Sequence, residues 1–503
     1  VSETQQYDVV VVGSGGGAMT GALLAARAGL RTVVVEKTDL IGGTSAYSGG
    51  ACWLPGSAVQ QRAGIGDSTE GARSYLGAIL SSPDAAKVEA FLAHSPELVA
   101  SLEEAGLPFE WLPFAEYYDA PGRVPMGRSI QPVSIKRGEL PAEVAALVRP
   151  PVERDRAGEG GRNTLSGGQA LIARLAALYV EAGGELRTHL PVTGFVLDDS
   201  GDRVVGVAAM TPEGPVVLHA SRGVLVAAGG FEGNAALRAA HAVPGEVAWT
   251  MAPRDTNTGE PIEAGLALGA AGDFSGVGWF CPGLEQPDGG GSFTLGFRSG
   301  LMVDANGRRY ANECLPYDRF GREMAASEDR IPSWFVFDSR EGGRLPAIAM
   351  PEGDPAEHLA AGTWVRADTL EDLAAATGLP AADLVASVER FNKLCADGVD
   401  EDFGRGEDEY DTFFTGGPGT ALVPCDQAPY FAARFVLSDL GTKGGLVTDP
   451  AGRVLRPDGS AIDGLYASSN SAASLFGGVY PGPGAPLGSA MVFASLAVRD
   501  LLS

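Results

Sequence analysis

The run Gly13-Ser14-Gly15-Gly16-Gly17-Ala18 constrains this chain more than any other feature. It follows directly on the apolar stretch Tyr7–Val12 and leads into Ala18–Ala28, rich in small helix formers, with Gly29 placed to end a helix. Arg31–Val35 is a second apolar stretch, closing on Glu36. Short apolar runs bounded by turn residues read as parallel strands buried on both faces. Together the pieces predict one βαβ unit of about 30 residues. The hexamer fits G-x-G-x-x-G/A. Gly13 permits the tight turn, Gly15 lets backbone N–H groups reach a pyrophosphate at the helix N-terminus, and Ala18 permits close helix–strand packing. A Gly-rich hexamer alone is only a turn. Strand, helix, second strand and terminal acid in this order make it a dinucleotide site, with Glu36 accepting ribose hydroxyls and Lys37 beside it.

The full sequence of 503 residues, 45% hydrophobic, suits two or three packing units. Residues 70–110 and 370–397 carry apolar residues at three- and four-residue spacing and are expected to be helical. Asn306-Gly307, between Leu301–Val303 and Arg309–Tyr310, is a hairpin turn by its chemistry. Gly464–Ala467 reads as a strand, followed by a loop rich in Gly, Ser and Pro, and Ala490–Leu502 as a final helix. The net charge of −26 disfavours nucleic acid and anionic membrane surfaces as partners. Cys52, Cys281, Cys314, Cys395 and Cys425 are odd in number and widely spaced, which fits neither a disulfide framework nor a metal site. No apolar run reaches the roughly 18–20 residues of a membrane span. Val9–Val12 follows an acidic, polar leader, unlike a signal peptide. The expected location is the cytoplasm, with a peripheral place at the membrane as the alternative.

Three further segments decide which dinucleotide is expected. Gly42-Gly43-Thr44-Ser45 comes soon after Glu36, Val224–Phe231 runs as a strand into a Gly pair, and Asp463–Ser468 precedes Asn470. In this order they resemble the pieces around FAD in the fumarate reductase/succinate dehydrogenase-like flavoprotein superfamily. The resemblance implies an α/β fold: a Rossmann-type FAD-binding domain, residues 1–277 and 440–503, with an inserted α+β catalytic domain, residues 278–439, capping the isoalloxazine at the seam. Beyond the βαβ residues it implies FAD contacts from Gly42, Gly43, Thr44, Ser45, Ser48, Gly49, Gly50, Val192, Ala228, Gly229, Asn470 and Leu487, with Asp463 contacting FAD or supporting its loop. Some members attach FAD through a His shortly after the double Gly. Residues 42–56 contain none, and the nearest is His94, so attachment is expected to be non-covalent.

Carboxylate-reducing members of that superfamily place an Arg where Asn312-Glu313-Cys314-Leu315-Pro316-Tyr317-Asp318 has Tyr317. They also use a His and an Arg in the late Gly-rich loop. Here Tyr480 stands at the His position and the matching Arg is missing. Fumarate or succinate would lose its counter-ions. The combination of Pro316-Tyr317-Asp318-Arg319, Tyr480-Pro481-Gly482-Pro483-Gly484, Leu112-Pro113-Phe114-x-x-Tyr117, Asp439–Gly445 and Asp402–Gly406 resembles the 3-ketosteroid Δ1-dehydrogenases, with Pro483 where a Gly is common. The resemblance implies FAD-dependent 1,2-dehydrogenation of a 3-ketosteroid. Tyr480 and the Gly484 N–H would polarise the C3 carbonyl, Tyr317 would take the C2 proton with help from Tyr117, and hydride would pass from C1 to flavin N5. Phe114, Phe293 and Phe297 are candidates to line an apolar steroid slot. The electron acceptor is open, with a quinone as candidate. None of the five His residues lies in these motifs, so no metal is expected. The alternatives are a Δ4-(5α)-dehydrogenase, a fumarate- or enoate-type reductase, and a non-catalytic flavin-binding protein.

Overall fold

The structure is a computed structural model and describes residues 4–503. The chain forms two compact units. One takes the chain up to Ala242 together with Ala252–Val277 and Gly441–Ser503; the other takes Val243–Met251 and Gly278–Leu440. Residues 243–251 and residue 440 were expected with the first unit and cluster with the second. The reason lies in hydrogen bonding for the longer stretch: the Met251 N–H donates to the Asp439 carbonyl at 2.8 Å, and the Thr250 hydroxyl donates to the Asp439 carboxylate at 2.7 Å.

The first unit is α/β. Strand β1 (Thr4–Val12), helix α1 (Gly16–Arg27) and strand β2 (Thr32–Val35) form the βαβ unit. The β-branched run Val9–Val11 and its neighbours Val33 and Val34 are fully buried, as a strand covered on both faces requires. β1 pairs in parallel with β2 on one side (Val9↔Thr32 to Val12↔Val35) and with strand Gly214–Val226 on the other (Val9↔Gly223 to Val12↔Val226). Parallel strands Glu185–Arg187, beyond β2, and Ala461–Ala467, beyond Gly214–Val226, extend the sheet. The order therefore reverses direction at β1, the position where open α/β sheets bind ligands at the carboxyl ends of their strands. Gly13 leaves β1 at that edge with φ +101°; a Cβ there would lie 2.4 Å from the Ala227 carbonyl oxygen. Only glycine fits this conformation and approach.

Helix Ala485–Leu502 packs on α1; a Cβ on Gly17 would stand 3.0 Å from the Ala490 carbonyl. It starts five residues before its expected beginning because Pro486 sits in the first turn, where a missing N–H costs nothing. It is the single helix among the described residues long and apolar enough to cross a membrane, yet 67% of it is buried within the protein. The helical region 70–110 divides into Thr69–Ile79 and Ala85–Ala105, capped by Ser68 and Asp84.

In the second unit, strands Leu301–Val303, Ser333–Phe337 and Trp364–Ala367 join an antiparallel sheet built around Tyr430–Leu446. Helices Leu370–Thr377 and Ala381–Asp397 pack Leu373, Leu384, Val388 and Phe391 against it. The Asn306-Gly307 turn forms as expected, closing Val303 onto Arg309 by a single bridge. A buried ionic network fixes the segment after that turn. Glu313 accepts from Arg309 Nε and Nη2, both at 2.9 Å, from Arg405 Nη1 at 3.0 Å and from the Met302 N–H at 3.0 Å. Asp400 accepts from the other edge of Arg309 at 2.8 and 3.0 Å.

Burial alone would raise the Glu313 and Asp400 carboxyls, but the guanidiniums and N–H donors around them together outweigh it and hold both below the usual range. A depressed folded-state pKa contributes stability that is full above the unfolded value, about 4, and is lost as pH falls through the folded one. The second unit should therefore lose stability below about pH 4. Glu313→Ala, which takes the carboxylate from Arg405 in the interior and leaves Arg309 with Asp400 alone, should cost about 3–5 kcal/mol and flatten that acid limb. Denaturant titrations of both proteins across pH measure the two effects.

Candidate active site

Two helix N-termini without a capping side chain come together in the first unit. Gly15 precedes α1, and Gly484 precedes Ala485–Leu502. Leu487, in the first turn of the second helix, lies 2.8 Å from where a Cβ on Gly16 would be. Helix N-termini present N–H donors and partial positive charge to an anion. The Gly16 N–H meets the Ser45 hydroxyl at 3.1 Å, which brings the Gly42–Ser45 segment to the same place. Beside Gly43 and Gly49 the protein leaves open space. Ser48 donates to the Ser45 carbonyl and accepts from the Gly50 N–H, closing this loop on itself. Ala18 is fully buried against the strand, as its place in the hexamer requires.

Glu36 directly follows β2 and accepts from the Ser14 hydroxyl at 2.5 Å and from the Thr38 N–H and hydroxyl at 2.9 and 3.0 Å. Its backbone carbonyl accepts from the Leu190 N–H, which holds Val192 nearby in sequence at the head of strand Val192–Leu197. Ser471 accepts from the Ala228 N–H and donates to the Gly229 carbonyl, joining the segment before it, which holds Asn470, to the end of Gly214–Val226. Lys37 and Asp463 have partners within the protein. The Lys37 ammonium is engaged by Thr258 at 2.6 Å and Glu260 at 2.9 Å. Asp463 is exposed and forms a backbone bridge to Arg203, before the carboxyl end of its strand at Ala467.

The Tyr480–Gly484 segment is held by several carbonyl bonds. The Pro481 carbonyl accepts from the Tyr75 hydroxyl at 2.7 Å and the Tyr117 N–H at 3.2 Å, the Pro483 carbonyl from the Ser129 hydroxyl at 2.6 Å, and the Gly484 carbonyl from the Trp53 N–H at 3.1 Å. Gly484 has φ +83°, and a Cβ there would lie 2.2 Å from Ala51 backbone. Pro483, the departure from the usual Gly, thus sits in a loop whose conformation is set by its carbonyl bonds. The Tyr75 hydroxyl also accepts from the Tyr118 N–H, and the Tyr117 and Tyr480 rings lie 5.1 Å apart between centroids. Behind the loop is a fully buried ion cluster: Arg128 donates to Glu116 at 2.6 Å and to Asp67 at 2.8 Å, while Trp53 Nε1 donates to Glu116 at 2.9 Å. Trp53, Tyr75, Glu116, Arg128 and Ser129 carry no motif, and their role becomes visible only in three dimensions.

In the second unit Tyr317 opens helix Tyr317–Ala325, directly after Pro316 at the N-cap. Its ring meets Phe293 edge-on at 4.8 Å. Phe297 does not share that position: its ring packs among Phe320, Phe335 and Phe435 in the core, so the expectation that it lines a slot is not met. Phe114 is half-buried, with its N–H on the Met126 carbonyl.

A family model described as "FAD binding domain" matches residues 8–487. The chain belongs to that family. It is an FAD-dependent oxidoreductase, and the family's cofactor fits the two uncapped helix ends and the acid at the end of β2. Among its relatives is a 3-oxosteroid 1-dehydrogenase of Rhodococcus opacus, 40% identical over 99% of each chain. A 4-oxocyclohexanecarboxylate 2-dehydrogenase of Sinomonas cyclohexanicum is 33% identical over 98% of this flavoprotein and 92% of its own length. A solved 3-ketosteroid Δ1-dehydrogenase from Sterolibacterium denitrificans, in complex with 1,4-androstadiene-3,17-dione, has a TM-score of 0.90 at 31% identity over 99% of each chain. The resemblance to 3-ketosteroid Δ1-dehydrogenases read from the motifs therefore extends over the full length of this member of the family.

Acid or heat denaturation should release all the FAD into the supernatant; flavin remaining in the pellet would mean covalent attachment. Glu36→Ala removes a charged acceptor for ribose hydroxyls and loosens Ser14. FAD affinity should fall by roughly 10–100-fold, as loss of a charge-assisted hydrogen bond predicts. Flavin content after dialysis at increasing protein dilution measures it.

Proposed function

We propose that this flavoprotein introduces the 1,2 double bond into 3-ketosteroids. The observation that carries this reading is the Tyr480–Gly484 segment: a phenol and a backbone N–H on a loop whose carbonyls at 481, 483 and 484 are all anchored. A carboxylate substrate calls for charged donors. A ketone oxygen that gains charge only in the transition state calls for neutral donors fixed in advance. The full-length relatives that act on 3-ketosteroids, by their names, support the same substrate class.

In this reading the Tyr480 hydroxyl and the Gly484 N–H share the developing charge on the C3 oxygen. The partial positive end of helix Ala485–Leu502 adds to the second donor. Tyr317 takes the C2 proton that the polarised carbonyl has made acidic. A phenol with an ordinary pKa of about 10 is a weak base near neutrality, and Tyr117 is the partner that helps it pass the proton on. Phe293 and Phe114 supply apolar surface for the steroid rings. Bound FAD supplies the two-electron acceptor for the hydride lost from C1. A separate acceptor must then reoxidise the protein. A neutral quinone is the class we propose, because a chain with net charge −26 repels anionic carriers.

Anaerobic bleaching of the yellow protein by a panel of ketones tests the substrate. 3-Ketosteroids should bleach it faster than 4-oxocyclohexanecarboxylate, and mass spectrometry of the product should place the new bond at C1–C2. A bond at C4–C5 would favour the Δ4-(5α) alternative. Tyr317→Phe should reduce 1,2-dehydrogenation by about 10²–10⁴-fold while FAD stays bound and steroid affinity stays near normal. Tyr480→Phe should lower kcat by roughly 10²–10³-fold. Exchange of the C2 hydrogens with deuterated solvent should slow in parallel in both. Parent-rate exchange in Tyr480→Phe would remove Tyr480 from the carbonyl.

A further inference from the structure

A buried cation stands beside the phenol at 480. Lys443 lies in strand Tyr430–Leu446 and is 2% exposed. Its ammonium donates to the Gly478 carbonyl at 3.2 Å and the Val479 carbonyl at 3.0 Å, the two carbonyls immediately before Tyr480. It lies 5.8 Å from the centroid of the Tyr480 ring. Taking an ammonium out of water is expensive. The neighbouring carbonyls at 481 and 483 are met by the neutral hydroxyls of Tyr75 and Ser129. A charge at this place does something a hydroxyl cannot. In a medium of low dielectric, a cation within about 6 Å of an aromatic ring is attracted to it and favours electron density on it. A phenol so placed gives up its proton more readily and is a stronger donor to an oxyanion.

We propose that Lys443 is a positioning residue for the Tyr480 donor. It clamps the two peptides that lead into Tyr480, and its charge strengthens the Tyr480 hydroxyl as a hydrogen-bond donor. This rests on the reading of Tyr480 as a carbonyl donor, and it adds a residue to which the motifs gave no role.

The test uses the FAD-loaded protein and begins with a measurement that needs no turnover. Tyrosine labelled with ¹³C at Cζ gives a resonance for Tyr480, assigned by its loss in Tyr480→Phe. Lys443→Met should make that phenol about tenfold harder to ionise. An unchanged titration would overturn the proposal. The second measurement is solvent exchange of the C2 hydrogens of a 3-ketosteroid. Lys443→Met should slow exchange by about 10–100-fold with KM altered less than about threefold. In a Tyr480→Phe background the same substitution should cost less than about threefold, because its route of action is gone. Equal losses in both backgrounds would overturn the proposal. Should Lys443→Met shed its flavin, Lys443→Gln, which keeps a donor but no charge, carries the same comparisons. A parent protein that neither exchanges nor bleaches with any 3-ketosteroid would defeat the function reading, and the resonance titration would still decide whether Lys443 acts on Tyr480.

Discussion

A backbone carbonyl taken out of water must find a donor, and the segment from Gly478 to Gly484 has few regular partners to offer. Its carbonyls at 478, 479, 481, 483 and 484 are met by Lys443, Tyr75, Ser129 and the backbone N–H groups of Tyr117 and Trp53. Each of these bonds is modest in net terms, near 1 kcal/mol, while leaving such a group unmet costs more. The loop therefore has essentially one arrangement open to it. That arrangement sets where the Tyr480 side chain starts and where helix Ala485–Leu502 begins.

The two units meet the cost of buried charge in similar ways. Behind the Tyr480 loop, Arg128 is held between Glu116 and Asp67; in the second unit, Arg309 lies between Glu313 and Asp400. Both clusters lie close in the chain to a candidate catalytic phenol, since Glu116 precedes Tyr117 and Glu313 is four residues before Tyr317. Breaking a buried pair strands a charge, so these networks tolerate few local rearrangements. The charges stay within the supports, and the groups that would meet substrate are neutral.

Much of this was legible from local pattern. β1, α1 and β2 show in the sequence because valine runs and small helix formers differ in period and because Gly13 punctuates them. The phenols at 317 and 480 show because they stand where related chains carry cations. The supporting residues did not show: Trp53, Tyr75 and Ser129 reach the loop from distant positions with Glu116 and Arg128 behind them, and a buried charged residue looks like a surface one until its partners are seen. Phe297 was misplaced for the opposite reason. Its aromatic neighbours in the sequence suggested a place in a slot, while packing assigned it to the core. Helix Ala485–Leu502 is longer than its sequence suggests because Gly484 and Pro486 look like breakers, whereas at a helix start they are favoured.

The parallel sheet of the first unit draws neighbours from widely separated stretches: Val9 lies beside Gly223, and Val224 beside Leu465. Such non-local pairing has a high contact order and is slow to form, because large loops must close before any pair is rewarded. During synthesis β1 and β2 emerge long before Ala461–Ala467 and the helix that covers α1. Until then, an apolar sheet edge and an apolar helix face are open to wrong partners. The uncapped end of helix Ala485–Leu502 is among the last parts to be synthesised, so a cofactor that needs it is captured late.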